Sequence, residues 1–365
     1  MKKIGLYIHI PFCKSKCPYC DFYSLKKGEH NCVDYVFAVK ASLKNWAQKT
    51  HRKADTLYFG GGTPSLLGGD KITELVAAAK EHFVCDGEVT VECNPSCVED
   101  DFFEKIAFAG VNRISLGMQS AVDDERKRLG RIADVRAVER AISLAQRAGI
   151  DNISLDVMLG IPYQSKKSLK ETLTFCVNSG AKHISAYMLK IEEGTWFHKN
   201  AHKLNLPDDD FTADLYLGMV DFLGDNGFGQ YEVSNFAKRG FESRHNLKYW
   251  NCEEYLGIGP SAHSFLDGKR FFYPRDISLF ESGAEPVDDG DGGDLEEYIM
   301  LRLRLAEGLV FDECRDRFPS FAKEKYLAKT DALKKAGLVK TDSGSIALTP
   351  EGFLVSNAVI EKIIF

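Results

Sequence analysis

The sequence predicts an α/β fold in which six βα units surround a parallel sheet, followed by a smaller helical module. Three observations carry that expectation. Short β-rich runs alternate with longer stretches of helical period through the first half of the chain. An acidic, glycine-rich stretch, 283–294, then separates that body from further helical patterns that end in a short hairpin. The length of 365 residues also exceeds a single ordinary domain.

Taken in order, the expected strands are Ile4–Ile10, Thr56–Gly60, Glu88–Cys93, Asn112–Met118, Asn152–Leu159 and His183–Leu189. The expected helices between them are Val33–Gln48, Lys71–His82, Glu99–Phe108, Val135–Arg147 and Leu169–Asn178, several stopped by a glycine such as Gly110, Gly149 or Gly180. Six such units curl into a barrel or lie as an open doubly wound sheet, and both place functional loops at the carboxyl ends of the strands. This body is read as 1–200. An extension, 201–282, follows, with a helix from Asp210 to Leu223, an extended stretch Gln230–Phe236 and β-like segments over Glu254–Tyr273.

In the last part, 295–365, helical patterns Leu295–Leu305, Phe311–Phe318 and Ala322–Lys335 lead to a turn at Asp342–Gly344 and a final helix after Pro350, an order that resembles a winged helix. It holds eleven basic and eleven acidic residues, so the cationic excess that phosphate backbones require is missing and no nucleic-acid partner is expected. The net charge of −6 gives no global attraction to anionic membranes. No apolar run approaches the roughly 18 residues of a membrane span. The start, Met1-Lys2-Lys3 before Ile4–Ile10, faintly resembles a secretory signal, but it is short, contains His9 and lacks a small-residue cleavage site, so it reads as a strand. Ten cysteines without such a signal point to reduced thiols and a cytoplasmic location.

The densest chemistry lies in Cys13-Lys-Ser-Lys-Cys17-Pro-Tyr19-Cys20, directly after the first strand. Thiolates are soft ligands for iron–sulfur clusters or zinc, and three on one tight loop can cap three corners of a cubane. Asp21 or His30 could complete a zinc site, although zinc favours repeated short Cys-x2–4-Cys clips. Gly60-Gly61-Gly62-Thr63-Pro64 closes the second strand, where consecutive glycines let backbone groups approach a ligand. Glu92, Gln119, Arg131 and Asp156 follow at the ends of later strands. Each alone is an ordinary loop or capping residue. Together they suggest one pocket.

Cys-x3-Cys-x2-Cys with Tyr19 before the third cysteine resembles the signature of the radical S-adenosylmethionine (SAM) superfamily. That resemblance implies a partial (βα)6 barrel and a [4Fe-4S] cluster held by Cys13, Cys17 and Cys20. Its fourth iron would be chelated by SAM, which the cluster cleaves to a deoxyadenosyl radical. It further implies SAM contacts from Tyr7, Tyr19, Gly61, Gly62, Thr63, Glu92, Gln119, Arg131 and Asp156, with His9 supporting the cluster loop. Nearly the whole chain is similar to the branch containing oxygen-independent coproporphyrinogen III dehydrogenases and HemW-type heme chaperones.

Two departures separate it from the dehydrogenases. Phe22 stands where they carry a fourth cysteine, and only twelve residues precede Cys13. His245-Asn246-Leu-Lys-Tyr249-Trp250 resembles the His-Asn-x2-Tyr-Trp motif of the chaperones, which implies heme as cofactor and His245 as an axial ligand. Cys252, His263, Cys32, Cys85, Cys93, Cys97, Cys176 and Cys314 are candidate iron ligands on chemistry alone, none preferred by spacing, and buried cysteine more commonly acts as a small apolar residue. The expected function is to bind heme and hand it to acceptor proteins, membrane-associated respiratory proteins among them, as a monomer or homodimer. The alternative is an enzyme that decarboxylates propionates of coproporphyrinogen III to vinyls. Whether SAM is cleaved in the working cycle stays open.

Overall fold

In a computed structural model of the chain, residues 3–28 and 30–365 are described here; Met1 and Lys2 of the basic start lie outside them. Six strands, β1 (Ile4–Ile10), β2 (Ala54–Gly61), β3 (Glu88–Cys93), β4 (Arg113–Gln119), β5 (Asn152–Leu159) and β6 (His183–Met188), lie side by side in chain order, all parallel. Five main helices cross between them: Cys32–Thr50, Gly69–Phe83, Phe102–Ala109, Val135–Arg147 and Lys166–Asn178. Their ends follow local chemistry. Asn31 caps the first by accepting from the Val33 N–H, Ser165 and Ser168 form a reciprocal capping box on the fifth, and Gly110 ends the third at φ 97°.

Side chains alternate along these strands. One set, including Ile4, Leu6, Ile8, Leu57, Phe59, Val91, Ile114, Leu116, Ile153 and Leu155, is fully or almost fully buried in the main apolar cluster with helix residues such as Val39 and Leu75. The opposite set is polar: Tyr58, Glu92, Arg113, Ser115, Asp156 and Ser185 all line one cavity. Residues of five neighbouring strands reach a common cavity only if the sheet curls, which makes this a partial barrel with a polar lumen.

Short strands extend the sheet at both edges. Beside β6 run β7 (Gly229–Gln230) and β8 (Asn235–Ala237), antiparallel. On the other side β9 (Tyr255–Ile258) pairs parallel with β1, and β10 (His263–Leu266), β11 (Lys269–Phe272) and β12 (Val287–Asp291) follow antiparallel. The stretch expected as a bare linker, 283–294, therefore contains β12. This strand is exposed throughout, carries three aspartates and the positive-φ Gly290, and pairs with an irregular register. An acidic, glycine-bearing edge is poorly suited to recruit another strand, which is how β edges are protected.

The C-terminal part has helices Leu295–Arg302, Phe311–Arg317, Lys323–Leu327 and Asp331–Lys335, a three-stranded antiparallel sheet (Leu309–Val310, Ser345–Leu348, Val339–Thr341), and helices Pro350–Leu354 and Ser356–Ile364. The single helix expected over Ala322–Lys335 is interrupted between Leu327 and Asp331. Backbone bonds join this part to the sheet extension: Val233 N–H to the Arg304 carbonyl at 3.0 Å, and Ala306 N–H to that of Tyr231 at 3.0 Å. Arg317 donates to the carbonyls of Asn251 (3.0 Å) and Cys252 (2.7 Å). Among the described residues no helix is long and apolar enough to cross a membrane.

Candidate functional site

A cavity of about 580 Å³ opens at the carboxyl ends of the strands, a size ordinary for a small-molecule site. Cys13, Cys17 and Cys20 line it, together with Tyr19, Gly61, Gly62, Thr63, Glu92, Gln119, Arg131 and Asp156. Residues from five strand ends and the cysteine loop thus face one space, although 143 positions separate Cys13 from Asp156.

The cysteine loop is held from below. His9 Nε2 lies 2.9 Å from the Tyr23 carbonyl and Nδ1 lies 3.0 Å from the Tyr7 hydroxyl. Burial pushes this imidazole down to about 4, so it bridges as the neutral ring. Lys16 Nζ donates to the Phe22 carbonyl at 3.0 Å. All three cysteines are free and half-buried. Among the described residues no group of His, Cys, Asp or Glu is disposed to hold a single metal ion. A cubane asks for something different: three thiols on one loop, each meeting its own iron, beside an open space for the fourth. The loop and cavity fit that demand, whereas zinc would require convergent ligands.

The glycine run is shaped by its neighbours. A Cβ on Gly61 (φ 105°) would fall 2.5 Å from the His9 ring, and one on Gly62 would fall 2.8 Å from the carbonyls of Ile10 and Phe12. The N–H groups here are already donated: Gly61 to Glu92 (3.2 Å), Gly62 to the Ile10 carbonyl and Thr63 to that of Phe12 (both 2.8 Å). These three residues can therefore offer a ligand only backbone carbonyls and the Thr63 hydroxyl. That is acceptor chemistry, suited to an ammonium group.

Gln119 is almost fully buried and adopts φ 70° at a register shift between Gly117 and Gln119, an irregularity that re-aims a side chain at the strand end. Arg131 donates to the Tyr19 hydroxyl at 2.9 Å, tying the strand-end set to the cysteine loop.

Two of the expected site residues are not among those lining the cavity. The ring of Tyr7 lies behind Gly60, where a Cβ would come within 3.0 Å of it, and the Tyr7 hydroxyl is taken by His9. His245 is fully buried, with Nδ1 2.8 Å from the Thr56 hydroxyl and Nε2 2.7 Å from that of Tyr249, and its ring stacks on Tyr58 at 5.1 Å. Both ring nitrogens are occupied, so the structure does not present it as an iron ligand. Its helix, Arg244–Trp250, is tied to the starts of β2 and β3 by Thr56 and Glu88 and so plugs the floor of the barrel. His245→Ala is expected to cost about 3 kcal/mol of stability by leaving two buried hydroxyls unpaired, and to leave the heme Soret band where it is. Denaturant unfolding and a heme titration of the variant check both.

Several lining residues escaped the sequence reading: Arg113, Ser115 and Ser185 inside the lumen, and Asn246 from the plug helix. The first three could have been found in the polar–apolar alternation of Arg-Ile-Ser-Leu and His-Ile-Ser-Ala. Asn246 stood in the His-Asn-x2-Tyr-Trp motif, but nothing local showed that it, and not His245, lines the cavity.

Glu92 accepts from Tyr58 (2.8 Å), yet burial, and secondly the charge of Asp156, push its carboxyl up to about 7 from an ordinary 4.5. Burial pushes Asp156 up to about 6, against its hydrogen bond from Ser115. A carboxyl whose folded-state value is raised contributes stability that is full below its unfolded value and is lost as pH rises through the folded one. The unloaded protein should therefore lose about 2 kcal/mol between about pH 5 and about pH 8 through Glu92, and Glu92→Gln should flatten that slope. Thermal unfolding across that range reads the difference.

Residues 7–176 match the Radical SAM superfamily and residues 294–355 the HemN C-terminal domain. The chain is 41% identical over 316 residues to the heme chaperone HemW of Escherichia coli, covering 83% of each. It is 34% identical to that of Haemophilus influenzae, covering 98% of this chain and 97% of the other, and 33% identical to that of Mycobacterium tuberculosis, covering 99% and 94%. In structure it is similar to coproporphyrinogen III oxidase (HemN) from Escherichia coli, with a TM-score of 0.85 over 99% of this chain and 90% of the other; at 21% identity this likeness speaks for the fold. Fold and sequence thus define a radical SAM protein. Within that superfamily, the similarity over nearly full length places the chain in the HemW heme chaperone family.

Proposed function

We propose that this protein binds heme at the cavity mouth and passes it to acceptor proteins, carrying a [4Fe-4S] cluster on Cys13, Cys17 and Cys20 with SAM at the open iron. Glu92, Gln119, Arg131 and Asp156 would surround the SAM, and the carbonyls of Gly61 and Gly62 would accept from its ammonium. Loaded, the cluster would supply one-electron chemistry on SAM.

The observation that carries the heme reading is the composition of the mouth beside the thiols. Phe22 is 68% exposed and Ile132 69% exposed, and both line the opening with Met188 and the lysines Lys14, Lys16 and Lys190. Asp21 and Glu192 lie there too, Glu192 paired with Lys190 at 2.8 Å, so Lys14 and Lys16 beside the apolar rim are the cations that match a flat macrocycle with anionic side arms. Ten free cysteines suit a reducing compartment, and cytoplasmic placement belongs to this reading.

The line of Gln119, Arg131 and Asp156 along the same cavity keeps a dehydrogenase as the second reading. One experiment separates them. The anaerobically reconstituted protein is titrated with heme at the Soret band, and the same sample is given SAM, reductant and coproporphyrinogen III. Saturable heme binding at one site per chain without protoporphyrinogen formation is the expected result; product above the SAM-free control would overturn it.

A further inference from the structure

Arg113 points from β4 into the lumen, is 1% exposed and lines the cavity. Its guanidinium makes no hydrogen bond and no ion pair within 4.0 Å to any described residue. The carboxylates around it are engaged elsewhere. Glu88 accepts from the backbone N–H groups of Arg244 and His245 at 3.1 and 3.0 Å, Glu92 from Tyr58 and Gly61, and Asp156 from Ser115. A buried cation without a partner is costly, and folded proteins keep one chiefly where a ligand completes it. Asn246 lines the same cavity, from the helix whose Arg244 and His245 N–H groups bond Glu88, and presents a carboxamide that likewise has no hydrogen-bond partner among the described residues.

We propose that Arg113 and Asn246 form a carboxylate subsite at the floor of the cavity, which anchors a carboxylate arm of the bound ligand. The inference rests on the reading of this cavity as the ligand site. The planar fork of a guanidinium matches both oxygens of a carboxylate, and the Asn246 amide adds a further donor. Glu88 is the charge that acts most favourably on Arg113, and burial pushes Glu92 and Asp156 toward the protonated form, which lowers the negative charge an incoming carboxylate would meet. The plug helix then has a role at the ligand without iron ligation: His245 fixes it to Thr56, and Asn246, the next residue, faces the cavity. Of the ligands of the proposed function, heme bears free carboxylate arms, its propionates, whereas the amino-acid end of SAM is placed at the open iron beside Gly61 and Gly62.

The test uses full-length, anaerobically reconstituted protein as wild type, Arg113→Met and Asn246→Ala, each titrated with hemin, hemin dimethyl ester and SAM. Arg113→Met keeps most of the side-chain volume and removes the charge. We expect it to weaken one carboxylate ligand by about tenfold to a hundredfold, and Asn246→Ala to weaken the same ligand by less. If hemin falls to the affinity of its ester while SAM is unchanged, the subsite holds a propionate. If SAM falls and hemin is unchanged, the proposal is overturned. Wild-type affinities for all three ligands in both variants would overturn the proposal. Should Arg113→Met fail to fold, Asn246→Ala decides by the same criterion. If wild type takes up cluster and SAM but no hemin, the heme reading fails and the propionate subsite with it.

Discussion

Replacing Cys17 with alanine is expected to abolish the brown iron–sulfur chromophore of the anaerobically reconstituted protein while leaving the apo fold nearly as stable as before. The contrast follows from how the loop is built. Its position depends on His9 reaching the Tyr23 carbonyl, on Lys16 reaching the Phe22 carbonyl and on the Cys20 N–H reaching the Cys17 carbonyl at 3.2 Å, none of which uses the Cys17 thiol. Cys17 is half-buried, so truncating it to alanine leaves little cavity and should change unfolding free energy by less than about 1 kcal/mol. The proposed cluster has no such reserve. It takes three thiolates and leaves one iron for SAM, so loss of one opens a second unprotected iron. Iron and sulfide analysis after reconstitution measures the effect; an unchanged iron count would remove the cluster assignment.

Gly61→Ala should produce the largest loss of stability at the site, about 3 kcal/mol, together with poor cluster retention. The φ of 105° is strained for any side chain, and the new Cβ would sit 2.5 to 2.8 Å from three atoms of the His9 ring. That ring cannot yield without releasing Tyr23, and with it the end of the cysteine loop. Gly149→Ala is the control, since this helix-terminating glycine has φ 85° and nothing lies within 4 Å; it should cost only about 1 kcal/mol, from backbone strain alone. Denaturant unfolding of the pair isolates the His9 clash. Equal losses would mean that His9 is not a rigid support.

The strands and the cysteine loop were legible because their signals are local. Ile4–Ile10, Glu88–Cys93 and Asn152–Leu159 appear in the fold with the boundaries expected of them, since period-two alternation and a following turn are written within a few residues. The stretch around Asp288–Asp291 was misread for the opposite reason: its composition is that of a linker, and only pairing with Lys269–Phe272 makes it a strand. His245 shows the same limit in side-chain chemistry. An imidazole followed by aromatic residues suits heme iron, but whether its nitrogens are free depends on Thr56 and Tyr249, the first of them 189 residues away in the chain.

By itself the sequence determined that this is an α/β chain of repeated βα units with three thiols on one loop after the first strand, because hydrophobic period and ligand spacing are properties of contiguous residues. The tertiary structure alone decided that the polar face of the sheet curls into a lumen, that Tyr7 stands behind Gly60, that His245 is held by Thr56 and Tyr249 and that Arg113 lies buried in that lumen without a hydrogen bond. Those facts depend on which distant groups meet, and hydrogen-bond satisfaction and burial are set by non-local neighbours that no local period encodes.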